Sequence, residues 1–145
     1  MTEDVIYRAD DAVIGNYQRE DTPVTATDMK KIAEGYAKAW TSGDIDTALT
    51  FLAEDVVCDA PAGQVNGVAA YRPFTQEFVD RLVSATITKV LADAESAAII
   101  YSFDTQWIKD FRCSEYVTFE NGKIKHITTI FDRLPMAEAA KHAQG

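Results

Sequence analysis

Apolar side chains recur at helical spacing in the first half of the chain and at strand spacing in the second. Ile32, Tyr36, Ala39 and Trp40 fall at i, i+4, i+7 and i+8, one face of a helix. Thr27 is suited to cap that helix, Asp28 suits the positive end of its dipole, and Gly43 can stop it in a left-handed C′ position. Asp44 can cap a second helix with Ile45, Ala48, Leu49 and Leu52 as its buried stripe, giving an antiparallel pair. Residues 56–60 read as a short strand ended by Pro61-Ala62-Gly63. Gly67 opens a third helical stretch in which Phe74, Phe78 and Leu82 share a face. Pro73 should kink that stretch or mark its true first turn, because an interior proline loses a backbone hydrogen bond.

From Thr86 the texture is β. Runs at 86–92, 96–107, 111–119 and 124–131 are rich in Ile, Val, Thr, Phe, Tyr and Trp. Asn121-Gly122 between the last two is a strong hairpin signal, since a type I′ turn needs positive φ at two successive residues. Helices first and a meander afterwards predict an α+β domain with its helices on one face of a curved, largely antiparallel sheet. Such a sheet leaves a concave apolar cavity. The predicted division is an acidic, weakly patterned extension at 1–26, the domain at 27–134, and an Ala-rich tail at 135–145 that holds His142.

A chain of 145 residues suits one domain with a core that needs no staples. Its formal net charge of -9 argues against nucleic acid as a partner, because phosphate binding relies on a Lys/Arg surface, and against docking on an anionic membrane. No apolar run approaches the ~20 residues of a membrane helix. The start, MTEDVIYRADD, has neither the basic nor the apolar part of a secretory signal. Cys58 and Cys113 lie far apart in sequence and read as free thiols in a reducing cytoplasm. The pattern offers no metal-ligand spacing, no glycine-rich phosphate loop and no Gly-x-Ser-x-Gly elbow, so neither metal nor cofactor is expected.

Tyr36-Ala-Lys-Ala-Trp-Thr-Ser-Gly43-Asp44-Ile45-Asp46, Leu52-Ala-Glu-Asp-Val-Val57, Pro61-Ala62-Gly63 with Gly67, and Asn121-Gly122-Lys123-Ile124 followed by Phe131-Asp132 together resemble the NTF2-like superfamily. That group holds SnoaL-like polyketide cyclases, ketosteroid isomerases and limonene epoxide hydrolases. The resemblance covers residues 27–134. It implies a cone of bent sheet and three helices around an apolar ligand site, and a homodimer joined across the open sheet face. One fold of this kind hosts many chemistries.

The resemblance supplies candidate site residues. Tyr36 aligns with the isomerase tyrosine that donates to the substrate oxygen, a role that suits a phenol held on a rigid helix. Glu115 falls where those enzymes carry a neutral aspartic acid, in a site that the handling of acids by apolar surroundings makes intelligible. Strand alternation puts it with Val117 and Phe119 on the inward face, where desolvation should raise its pKa. Ala60 aligns with the isomerases' catalytic base. Asp59 is one residue away, and a bulge before the turn could aim it inward.

Asp104 and Asp132 match the two aspartates of the epoxide hydrolases. Ser102, Cys58 and Ala60 replace that family's arginine, tyrosine and asparagine, so the pair would have to share a proton. Trp40, Phe74, Phe78, Trp107 and Phe119 are expected to line or back the pocket. His126 is the histidine of the β region and the side chain best suited to proton transfer near neutrality. Three functions follow. The first is a cofactor-free isomerase, cyclase or dehydratase on an apolar carbonyl compound, with Tyr36 and Glu115 at the oxyanion and Asp59 or Asp104 moving the proton. The second is an epoxide hydrolase or epoxide-opening cyclase using Asp104 and Asp132. The third is a non-catalytic module that binds small ligands or dimerises.

Overall fold

The structure is a computed structural model that describes residues 25–144. Most of the expected 1–26 extension lies outside the described residues. Helix α1 (Ala26–Thr41) begins two residues earlier than the sequence suggested. Thr25, not Thr27, is its N-cap, because Thr25 and Asp28 form a reciprocal capping box. Gly43 ends the helix at φ +91°, as a left-handed C′ position requires. Helix α2 (Ile45–Leu49) starts from Asp44, whose carboxylate accepts from the Thr47 backbone N–H.

Strand β1 (Leu52–Ala60) runs into a short partner, β2 (Gly63–Asn66), across the two-residue turn Pro61-Ala62. The sequence reading stopped at that turn and missed β2, whose four residues are too few and too polar to show alternation. Helix α3 (Val68–Val79) opens at Gly67 and carries Pro73 in its interior rather than its first turn. Strands β3 (Leu82–Ala92), β4 (Ser96–Thr105), β5 (Phe111–Glu120) and β6 (Lys123–Ile130) form the meander. The β5–β6 turn has Asn121 at φ +54° and Gly122 at φ +76°, the type I′ signature. The expected C-terminal tail is largely helical, as α4 (Arg133–Gln144).

The six strands form one sheet in the order β2-β1-β6-β5-β4-β3. Every neighbouring pair is antiparallel except β1 with β6. The sheet is therefore mixed, curved and unclosed, with α1 and α3 packed into its concave side. Ala33, Tyr36, Ala37 and Trp40 of α1 meet Ile99, Tyr101 and Phe103 of β4, Val117 of β5, and Ile124 and Ile127 of β6 in a single buried cluster. Each of these side chains is 5% exposed or less, so the concave face is the core and whatever it fails to fill becomes a cavity. No helix among the described residues is long and apolar enough to cross a membrane.

Candidate functional site

Toward one end of the cone the packing is incomplete and leaves a cavity of about 210 Å³. Its apolar wall comes from Trp40, Phe74, Phe78 and Phe103, three of them expected from the sequence. Trp40 meets Tyr101 edge-on at 5.3 Å between ring centroids, and Phe78 meets Phe103 in the same way at 5.2 Å, so the wall is a rigid aromatic array. Ala60 and Ala62 at the β1–β2 turn, Phe131, and Met136 of α4 close the other side. Glu77 and Arg81 stand at the rim, paired at 3.2 Å and more than half exposed.

Glu115 is the buried acid of this cavity, 5% exposed on β5 between Cys113 and Val117. Each of its carboxyl oxygens meets a phenol. Tyr101 donates to Oε1 at 2.7 Å and Tyr36 donates to Oε2 at 3.2 Å. The Tyr36 hydroxyl also meets the Tyr71 hydroxyl at 2.5 Å, and the Trp40 indole N–H donates to the Tyr101 oxygen at 3.0 Å. Alternation explains the convergence. Tyr101 lies between Ile99 and Phe103 on the inward parity of β4, and Tyr71, Phe74, Thr75 and Phe78 share one face of α3 at spacings of three and four.

Desolvation dominates the electrostatics. Burial pushes Glu115 up to about 7, although the hydrogen bonds from Tyr101 and Tyr36 pull the other way. All three phenols are held well above the ordinary tyrosine value, first by burial and then by the nearby Glu115 carboxylate. Burial likewise raises the thiols of Cys58 and Cys113, to about 11 and about 12. Among the groups facing this cavity, the acid is the one able to change charge near neutrality.

The two expected partners Tyr36 and Glu115 are thus brought together, but Tyr36 is wholly buried behind Tyr71, which with Glu115 forms the cavity wall. Sequence reasoning missed Tyr71 and Tyr101. Tyr71 carries a legible signal, since it sits in helical phase with Phe74 and Phe78 of α3, and Tyr101 shares the apolar parity of Ile99 and Phe103 on β4.

The remaining candidates lie elsewhere. Asp59 was expected to be re-aimed inward by a bulge. The irregularity in β1 falls between Leu52 and Val57, however, and pairing is regular from Cys58 to Ala60. Cys58 therefore points in and Asp59 points out, where it meets His126 Nε2 at 2.6 Å and accepts from Gln64 at 2.8 Å. Those two partners hold its carboxyl below the usual range, Gln64 contributing most.

His126 was a candidate for the pocket, although its place beside Lys125 and the turn favoured solvent. A bulge against β5 pairs Thr118 with His126 and Phe119 with Ile124, which resets the parity of β6 and turns His126 to the convex face. Asp104 shares the outward parity of Ser102. It accepts from the Asp110 backbone N–H at 2.9 Å and from Ser84. Asp132 is exposed after β6 and accepts from the Leu134 backbone N–H at 3.0 Å, the N-cap of α4.

Trp107 is 44% exposed, because β4 ends at Thr105 and its alternation does not carry further. Phe119 faces inward but packs against the core near the hairpin end of β5, away from the cavity. Among the described residues, no group of three or more His, Cys, Asp or Glu is placed to hold a metal ion.

A bent, unclosed sheet folded over helices, with its cavity at one end, is the NTF2-like fold. The SnoaL-like domain matches residues 33–127, and the chain belongs to that family. Similar solved structures agree. A protein of Kribbella flavida DSM 17836 is 33% identical, with a TM-score of 0.77 over 81% of this chain and 98% of its own. A second Kribbella flavida protein, provisionally described as a ketosteroid isomerase, is 23% identical, with a TM-score of 0.65 over 74% of this chain and 79% of its own. An NTF2-like protein of unknown function from Cytophaga hutchinsonii ATCC 33406 is 18% identical, with a TM-score of 0.65 over 81% and 98%. The last two likenesses speak for the fold. No curated protein matches the chain at a significant level.

Proposed function

We propose that the protein is a cofactor-independent acid–base enzyme that moves a proton on a small apolar carbonyl compound, in an isomerisation or dehydration, with Glu115 as the proton carrier and Tyr71 beside it. One observation carries this reading: a carboxyl group is buried in the wall of an aromatic cavity and is balanced near neutrality, at about 7. General acid–base catalysis is most efficient when the catalytic pKa lies near the working pH. The cost of burying such a group is a strong reason to look for a functional role, since perturbed acids cluster at active sites.

The cavity size narrows the substrate. At about 210 Å³ it is smaller than the roughly 300–1,000 Å³ of pockets for drug-sized ligands. A one- or two-ring ketone or a short terpenoid fits better than a four-ring steroid. The epoxide-opening alternative loses support, because Asp104 and Asp132 stand outside the cavity.

The test is exchange of α-carbon protons with solvent deuterium, followed by NMR over a panel of one- and two-ring ketones. Glu115→Ala should lower the exchange rate of an active ketone by about 10²–10⁴-fold, the usual scale of one general base. A protein that binds the ketones without accelerating exchange would be a binding module instead.

The same reading includes a pair of chains. Leu91, Ile100, Tyr116 and Ile130 are exposed on the convex side of the sheet, and a second copy would cover them. Tyr116→Glu should convert a dimer to a monomer in sedimentation. A wild-type monomer at micromolar concentration would remove this part of the proposal.

A further inference from the structure

The position aligned with the family's base is Ala60, which lines the cavity without any polar group. Inside the cavity, one carboxyl group is therefore left to take up a proton, while something else must hold the oxygen on which charge develops. The hydroxyls next to Glu115 suggest how these two tasks are joined. Each phenol has one proton to donate. Tyr101 spends its proton on Oε1, and Tyr36 spends its proton on Oε2. The bond between the Tyr36 and Tyr71 hydroxyls then requires Tyr71 to donate to Tyr36. With Glu115 ionised, every phenolic proton points inward, and Tyr71 offers a ligand only lone pairs.

We infer that Tyr36 and Tyr71 form a reversible hydrogen-bonded chain through which proton uptake by Glu115 turns the Tyr71 hydroxyl toward the ligand, so that one acid serves as base and also switches on the oxyanion donor. The inference rests on the functional reading above and deepens it. The step balances. The α C–H bond of the ketone breaks, its proton forms an O–H bond on Glu115, and its electron pair moves to the carbonyl oxygen as an enolate. Glu115 no longer needs the Tyr36 proton as an acceptor. Tyr36 rotates to donate to Tyr71, and Tyr71 donates to the enolate. Return of the proton from Glu115 to another carbon reverses both rotations.

Other groups near Glu115 do not imitate this switch. Tyr36 reaches it from α1, Tyr71 from α3 and Tyr101 from β4, all raised well above the ordinary tyrosine range. Cys58 on β1 and Cys113 on β5 keep their protons to about pH 11 and 12, and Thr129 on β6 does not titrate. Asp59 and His126 form their own pair on the opposite face of the sheet. Tyr71 and Glu115 touch the substrate in this scheme; Tyr36 acts through them as a positioning residue.

Equilibrium binding of 1-tetralone, an acceptor-only two-ring ketone with no titrating group, reads the chain directly between pH 5 and 9. In the wild type, affinity should fall about five- to tenfold as pH rises through about 7, the scale of one hydrogen bond. Glu115→Gln, whose amide can donate to Tyr36 and accept from Tyr101, should bind tightly at every pH. Tyr36→Phe cuts the chain, leaves Tyr71 free to donate, and should flatten the profile. Tyr71→Phe should bind weakly throughout, and His126→Gln should keep the wild-type slope.

A wild-type profile that is flat while the ketone still binds would overturn the chain and leave the functional reading intact. So would a Tyr36→Phe profile as steep as the wild type, with Glu115→Gln showing that the cavity still folds. Failure to bind tetralone at any pH would instead overturn the functional reading, and the chain with it.

Discussion

Glu115 on the concave face of β5 and Asp59 on the convex face of β1 are separated by the single strand β6. Both are carboxylates on strands, and both are hydrogen-bonded. Their acidities nevertheless move in opposite directions. Glu115 is raised to about 7 because burial outweighs its two phenol donors. Asp59, about two-fifths exposed, is lowered because Gln64 and His126 stabilise its charge and water still reaches it. Asp110, exposed beside Arg112 and Ser102, is lowered further, to about 2. Parity therefore separates the two strand acids: the inward Glu115 is desolvated, and the outward Asp59 keeps its contact with water, as the loop acid Asp110 does.

The sharpest way to break this comparison is the pH dependence of stability. Unfolded Glu115 titrates near 4.5 and folded Glu115 near 7. Between those values the native state holds a proton that the unfolded state has released, so stability declines as pH rises across that window. The full difference is of the order of 3 kcal/mol. Glu115→Gln has no such term. The variant should lie close to the wild type at pH 4 and gain on it by up to about 3 kcal/mol at pH 8, in denaturant titrations at both values. The exposed acids act in the reverse sense and at lower pH, since Asp59 and Asp110 lose their contribution as pH falls through their depressed values. Equal wild-type and variant stabilities at pH 8 would mean that Glu115 is hydrated.

Moving an acid from one face to the other comes next in size. Ala60→Asp puts a carboxyl into the cavity at the position next to Asp59, with no change of strand. Desolvation and the nearby Glu115 should raise its pKa, and the fold should lose about 1–3 kcal/mol for the extra buried polar group. Carbon-13 NMR of the side-chain carboxyls would give the value. A normal titration for the new acid would show that the turn at Pro61-Ala62 lets water in.

How far the sequence could lead follows the same parity. Inward residues of β4 and β5 were readable, because an unbroken alternation from Ala97 to Phe103 and from Phe111 to Phe119 marks one face as apolar. The resemblance singled out Glu115 and Tyr36; that rule turned Glu115 inward, and helical spacing put Tyr36 and Trp40 on the buried face of α1. The rule failed where a strand has an irregularity that sequence does not announce. The bulge before His126 turned it outward, the regular end of β1 kept Asp59 outward, and the early end of β4 left Trp107 in solvent. Tyr71 was missed for a different reason. Pro73 drew attention to a possible break in α3, whereas the helix continues from Val68 to Val79 and carries Tyr71 into the wall with Phe74 and Phe78.

A smaller and more local effect separates Asp132 from the cavity. Its carboxylate caps α4, the helix that brings Met136 to the mouth. Asp132→Ala should cost about 1 kcal/mol, read as faster amide exchange in the first turn of α4. The Glu115 titration should not move. If Asp132→Ala instead abolished ketone turnover while α4 stayed protected, the acid would belong to the chemistry after all.

The smallest expected effect belongs to Asp59. Its pair with His126 is nearly half in water, and such screened pairs contribute little. Asp59→Asn keeps a partner for Gln64 and removes only the charge, so global stability should barely change and the exchange rate on a ketone should stay within about twofold of wild type. The variant matters because Asp59 and Ala60 are adjacent, and a single slip of register would exchange their faces. A large loss of turnover with unchanged stability would mean that β1 is shifted by one residue, with Asp59 in the cavity and Ala60 outside it. A small effect leaves Glu115 as the acid that the concave face presents, and the contrast between the two faces then rests on burial alone.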